Sequence, residues 1–271
     1  MPSLRTAWAL LTTWYAYMLT YRVEIFLWMV ASALPLIMMG IWIEAGASGS
    51  FPDVTAASAA RYFLAVFVVR QVTVAWVLYE FEHHVLSGKL SPKLLHPLDP
   101  AFVFLATHLG EQLARLPFFA AVFALGLWLY PAALQDPDDP GAWLLPSVAE
   151  GLAFLVALYA AFAFRFLLQY TLAMLAFWFE RVLAFEPLAY LPYLFLSGLL
   201  FPLEALPAGV AAALKWTPFP WLAWFPATIL AGGQPPLIHG FATIGAWLAG
   251  LLVLNRVLWR AGLRRYSAMG A

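Results

Sequence analysis

Residues 195–209 read FLSGLLFPLEALPAG. The run is apolar enough to belong to a membrane span, yet it interrupts itself with Ser197-Gly198, Phe201-Pro202 and Leu206-Pro207, and it holds one carboxylate, Glu204. Glycine and proline at that density end regular helix. Broken backbone inside a bilayer survives only where protein or trapped water satisfies its polar groups. The stretch therefore predicts a span that stops, followed by short pieces packed on a helical bundle. The continuation ALPAGVAAALKWTPFPWLAWFPATILAGG, residues 205–233, stays apolar with prolines at 207, 218, 220 and 226, and predicts short re-entrant helices dipping from the outer face. Pro207 suits a first helical turn, and Gly209 lets that turn lie close to a neighbour. For Glu204 two readings stand. One is a cap favoured by the helix dipole, the other a role in gating or substrate release.

Composition agrees with a membrane reading. The 271 residues are 64% hydrophobic and only 10% charged, and the mean hydropathy of +0.84 lies far above that of a soluble domain. At about 20 apolar residues per helix, six spans use up most of the chain, and no polar interval is long enough for a separate domain with its own core. Without cysteine there are neither disulfides nor thiolate metal sites. Fourteen acids balance fourteen bases, which gives no net attraction to nucleic acid. The N-terminal run has no short apolar core ending in a small-residue cleavage site, so the first segment is expected to stay attached.

Residues 3–22 predict an interfacial helix, with Leu4, Trp8, Leu11, Tyr15 and Met18 on one stripe and Thr6, Thr13, Tyr17 and Thr20 opposite. Spans are expected at about 24–43, 58–81, 100–130 and 237–258. Region 147–203 is too long to be one helix, because at 1.5 Å per residue it would reach roughly 85 Å. Its charged cluster FERVLAFEP, residues 179–187, marks a turn that divides it into spans 147–178 and 187–203. With both termini cytoplasmic, Arg5, Arg22, Lys89, Lys93, Arg181, Arg256, Arg260, Arg264 and Arg265 fall inside and only Lys215 outside, as the positive-inside rule favours. The external loops carry acid instead, notably Asp136, Asp138 and Asp139. Trp42, Trp128, Tyr130, Trp143, Trp216, Trp221 and Trp224 lie near span ends and read chiefly as interfacial anchors.

Two stretches carry a family resemblance. SGLLFPLEALP resembles the segment after the fifth span of type-2 ABC export permeases, with Ser197, Gly198, Phe201, Pro202, Leu206 and Pro207 in the matching places and Glu204 between them. PFPWLAWFPATILAGG, residues 218–233, looks like that family's continuation through Pro218, Phe219, Pro226 and Gly232. EFEHHVLSGKLSPKLLHPLDP, residues 80–100, is similar to the family's coupling element, with Glu82, Gly88, Leu90, Leu94, Leu95 and Pro97 in place. Pro92 departs from that pattern and shortens the expected helix toward a single turn. The resemblance implies an all-α integral membrane permease with an interfacial helix, six spans, a cytoplasmic coupling helix in loop 83–98 and external re-entrant helices over 205–233. It further implies a bacterial inner membrane, a separate ATPase present in two copies that holds ATP and Mg, and a second permease subunit, identical or paralogous. LAMLAFWFERV, residues 172–182, points to the bacterial group in which two different permeases serve one ATPase.

Other chemistry finds little support. The phosphate-cradling pattern Gly-x-x-x-x-Gly-Lys-Ser/Thr is not met by LSGKLS, because His83 stands at the first glycine and Leu90 at the hydroxyl position. Energy must then come from a partner ATPase, an ion gradient, or not at all. Glu111 and Arg115 have the i, i+4 spacing of a same-helix ion pair, which suits structure better than a proton relay. Arg70 with Gln71, and Arg165 with Gln169, either bind an anionic headgroup or pair with a neighbouring helix. His83, His84 and His96 lack the acids that would complete a metal site. Lys89 and Lys93 are placed to meet acidic groups of a partner or lipid phosphates. No nucleophile, base and acid group together as a catalytic set. The expected cargo is amphipathic, lipid-like or drug-like. A gradient-driven transporter and a non-transporting assembly protein are the rival classes.

Overall fold

The computed structural model describes residues 3–49, 54–135 and 146–269. The acidic loop with Asp136, Asp138 and Asp139, and Trp143 beside it, lie outside the described residues. Every regular element among the described residues is helical.

Helix α1, Leu4–Thr20, is capped by Ser3, whose Oγ accepts from the Thr6 amide at 3.2 Å. It runs along α7, Pro100–Leu129. The two backbones approach closely at Gly110, where a Cβ would stand 2.8 Å from the Tyr15 nitrogen. Only Met18 of α1 is buried, and Leu4 and Trp8 are exposed.

Among the described residues five stretches are long and apolar enough to cross a membrane: Arg22–Ala47, Ala56–Leu86, Pro100–Leu129, Val148–Phe177 and Leu237–Tyr266. The first is two helices, α2 (Arg22–Ala31) and α3 (Leu34–Ala47), separated where Pro35 interrupts the amide ladder and the Ser32 hydroxyl bonds back to the Trp28 carbonyl at 2.7 Å. The second is also two helices, α4 (Ala56–Val72) and α5 (Val77–Leu86). It forms the centre of the bundle, since 72% of its apolar window is buried, against 17% for α7 and 11% for α12 (Leu237–Met269). Low burial on the outer helices is the normal state of a lipid-facing surface. Helix α5 extends to Leu86, so His83 and His84, assigned from sequence to a loop, are helical; Val77, Leu78 and Phe81 anchor that last turn in the core.

Helix α8, Val148–Ala173, opens with a capping box between Ser147 and Glu150. It continues as a 3-10 turn through Phe177, and the chain reverses through FERVLAFEP as expected. The returning helix α9, Glu186–Leu196, has only 11 residues. That is roughly 16 Å of rise, about half of a bilayer core. Where the sequence suggested a fifth full span over 187–203, the helix stops at Leu196 and irregular backbone follows. The physical reasons are Pro192 within the helix, Gly198 at φ +92° and Pro202.

Two clusters fill the interior. One joins α4, α8 and α9 to α11, Trp224–Leu230, around Phe63, Trp221 and Phe225. The other joins α5, the end of α8 and the flanks of α7 and α12 around Phe81, Phe104 and Phe177. Trp221 and Trp224 are thus core side chains and not belt anchors. Trp128 and Trp216 are exposed.

Candidate functional site

After α5 the chain turns at Gly88, whose φ of +71° is open to glycine at little cost, and enters α6, Leu90–Leu94. Pro92 limits this helix to five residues, the single turn expected. Leu90 is fully buried among Phe81 and Phe104. The Ser91 and Tyr266 hydroxyls share a hydrogen bond of 2.8 Å, linking α6 to α12. Lys93 places its ammonium 4.5 Å from the centre of the Phe104 ring on α7, a cation–π contact. Burial pushes the Lys93 ammonium below the usual lysine range, with the Glu80 carboxylate acting the other way. Glu82 accepts from the Leu183 amide at 2.7 Å, joining α5 to the turn that leads into α9. Arg256 of α12 pairs with Asp99, the N-cap of α7, at 2.7 Å.

One face of this element is therefore held by α5, α7, α12 and the α8–α9 turn, while the other is open. Lys89, Leu95 and Pro97 are exposed, Leu95 at 88%, and Leu94 is half-buried. The open face thus presents an apolar side chain, Leu95, close in sequence to the exposed Lys89. The structure brings Glu82, Leu90, Lys93, Leu94 and Leu95 together. Phe104 and Tyr266, which complete the seat, had no local motif that would have marked them.

Just inside this element, residues 73–76 leave the helix. The sequence suggested an unbroken span here, because RQVTVAWV contains neither glycine nor proline. Side chains from neighbouring helices satisfy the freed backbone, as irregular structure at membrane depth demands. Gln112 donates to the Val72 carbonyl at 2.7 Å, and the Trp76 amide donates to His108 Nε2 at 3.1 Å. The Trp76 indole donates to Glu111 at 2.6 Å, and the other Glu111 oxygen pairs with Arg115, the same-helix ion pair that the spacing predicted. Arg165 donates to the Thr73 hydroxyl at 3.3 Å. Gln71 donates to the Met29 carbonyl at 3.4 Å, so it pairs with a neighbouring helix.

At the far end the broken stretch after α9 is held by protein. Trp42 donates to the Leu200 carbonyl at 2.9 Å, Tyr62 to the Gly198 carbonyl at 2.8 Å, and the Trp224 amide to the Ser197 carbonyl at 2.8 Å. Ser197, Leu203 and Pro202 are buried, Phe201 and Leu206 half-buried. Helix α10, Ala208–Leu214, has no side-chain cap; Pro207 occupies its N-cap position, and a Cβ added at Gly209 would meet nothing within 4 Å beyond its own helix. Glu204 accepts instead from the Trp224 indole at 2.9 Å, which replaces the capping reading with a tie to the buried α11. Beside it lies an open cleft of about 500 Å³, bordered by Glu204, Leu206, Lys215, Trp216 and His239. Among the described residues no three His, Asp or Glu gather as a metal site.

The model of the ABC-2 family transporter protein matches residues 47–270, from the end of α3 to the last turn of α12. Comparison with curated proteins returns no match. With five membrane-length apolar stretches among the described residues and that family match over most of its length, the chain belongs to the ABC-2 family of transporter proteins.

Proposed function

We propose that the chain is the membrane-spanning subunit of an ATP-driven exporter, coupled through α6 to a separate ATPase that carries ATP and Mg. One observation carries this reading. The α6 element is fixed to three membrane helices on its inner side and presents Leu95 with Lys89 on its outer side. A force applied at Leu95 reaches α12 through Ser91, α7 through Lys93 and the α9 turn through Glu82, as a rigid-body shift between packed states requires. Supporting it, the sequence lacks a phosphate-cradling loop of its own. Two such subunits, identical or paralogous, enclose the pathway, with both termini on the cytoplasmic face of a bacterial inner membrane. The interior is aromatic and sparsely charged, which suits an amphipathic, lipid-like or drug-like cargo.

The test is ATP turnover by the assembly purified with this chain in mild detergent and returned to vesicles. The expected result is hydrolysis that amphipathic compounds raise several-fold and that Leu95→Asp reduces to the unstimulated rate. Hydrolysis raised only by small hydrophilic solutes would overturn the cargo, and purification without any ATPase would overturn the coupling.

A further inference from the structure

Arginine inside a bundle is costly and normally finds an acid or a set of carbonyls. Three arginines of this chain find such partners, Arg256 at an exposed position. Arg115 has Glu111, Arg256 has Asp99, and Arg61 donates to the Ala133 and Gln135 carbonyls at 2.9 Å each. Arg70 on α4 and Arg165 on α8 do not, although Arg165 donates to the neutral Thr73 hydroxyl at 3.3 Å. Neither takes part in an ion pair among the described residues, and Arg165 is 8% exposed. Both guanidiniums lie over one ring, that of Tyr193 on α9, with Cζ at 5.8 Å and 4.0 Å from its centre. Two like charges sharing a ring repel more strongly here than in water. The ring faces cannot neutralise them, since each cation–π contact leaves the charge formally uncompensated.

The Tyr193 hydroxyl is buried without a hydrogen-bond partner. It and Arg165 border a cavity of about 20 Å³ with Gln169, Glu186, Tyr190 and Phe219, room for one small group. Glu186, the single acid in that lining, lies beyond ion-pair distance and balances one of two charges at most. What remains is an excess positive charge, the Arg165 fork and an orphaned Tyr193 O–H donor beside the void, with Arg70 held over the same ring. Guanidinium forks match the tetrahedral oxygens of phosphate, and the donors outnumber the two oxygens of a carboxylate.

We propose that Arg165 and Tyr193, with the charge of Arg70 over the same ring, form an intramembrane site for a phosphate group, which presents an oxygen to the cavity beside Arg165. The site is read in this chain alone and does not depend on coupling to an ATPase. The group is either the headgroup of a lipid or a free phosphate.

The full-length chain in detergent, observed by native mass spectrometry, tests this with dioleoylphosphatidic acid against dioleoylglycerol, which has the same tails and no phosphate. Wild type should retain the phosphatidic acid about tenfold or more in preference, the scale of charge-assisted hydrogen bonds. Arg70→Gln, Arg165→Gln and Tyr193→Phe should each reduce that preference. Tyr193→Phe keeps the ring beneath both guanidiniums, so it gives an answer even if an arginine variant does not fold. Displacement by millimolar inorganic phosphate would assign the site to phosphate of either source, and resistance to it would assign the site to lipid phosphate. Equal retention of the two lipids, or a preference that survives in Arg165→Gln or in Tyr193→Phe, would overturn the proposal.

Discussion

Glu111 has both carboxylate oxygens engaged, one by the Trp76 indole and one by Arg115. A proton carrier needs an oxygen free to change partners, so this arrangement argues for structure. Glu111→Gln leaves Arg115 as an unpaired buried charge and should lower stability by about 3–5 kcal/mol, whereas Glu111→Gln with Arg115→Met should recover most of that loss. Thermal unfolding of the full chain in detergent checks both, and a double variant no more stable than the single one would contradict the assignment. Lys93 gives a pH signature of the α6 seat. Burial holds its folded-state pKa below the unfolded value of about 10.4. Between those two values the unfolded chain binds more protons, so stability rises with pH through the alkaline window. Wild type should gain stability relative to Lys93→Met on going from neutral pH toward that limit, and parallel curves would place Lys93 in water. The i, i+4 pair was legible because it is local. The Glu204–Trp224 bond was not, because 20 residues separate partners that only the packing of α11 brings together.

Helix ends and breaks divide the elements into two kinds. Those marked by proline or charge were readable: the five-residue α6 with Pro92 and the reversal at FERVLAFEP, whereas the arrest of α9 at Leu196 fell short of the span expected to run to 203. The break at 73–76 was not readable, because it is made by His108 and Gln112 on another helix, which offer the backbone partners it would otherwise find in its own turn, while Arg165 holds the Thr73 hydroxyl. Gly198 and Gly209 separate a required glycine from a permitted one. At Gly198, φ is +92° and a Cβ would meet the Tyr62 hydroxyl at 2.5 Å and the Trp224 Cβ at 2.7 Å. Gly198→Ala should therefore cost about 2 kcal/mol or more. Gly209→Ala, with nothing within 4 Å on a helix, should be neutral or stabilising by up to about 1 kcal/mol. Similar losses in the two variants, read by the same unfolding measurement, would contradict this account of the broken stretch.

Across the whole molecule, α12 joins the two ends. His239 near its start lies against the Lys215 carbonyl at 3.2 Å, and Tyr266 near its last turn meets Ser91 of α6. Composition was enough to establish a helical membrane bundle, since hydropathy and span length are sums over many residues. The two motif stretches agreed with the family found over residues 47–270. What the sequence concealed was which helix is central: α4 with α5 is buried, yet it is no more apolar in pattern than the lipid-facing α12. The central claim is that the outer face of α6 seats an ATPase. A photo-crosslinking residue at Leu95, with a second at Trp216 beside α10 as control, tests it in native membranes. The Leu95 adduct is expected to be a protein carrying Gly-x-x-x-x-Gly-Lys-Ser/Thr, one that the Trp216 probe does not yield. No such protein at Leu95, or the same protein captured from both positions, would contradict it.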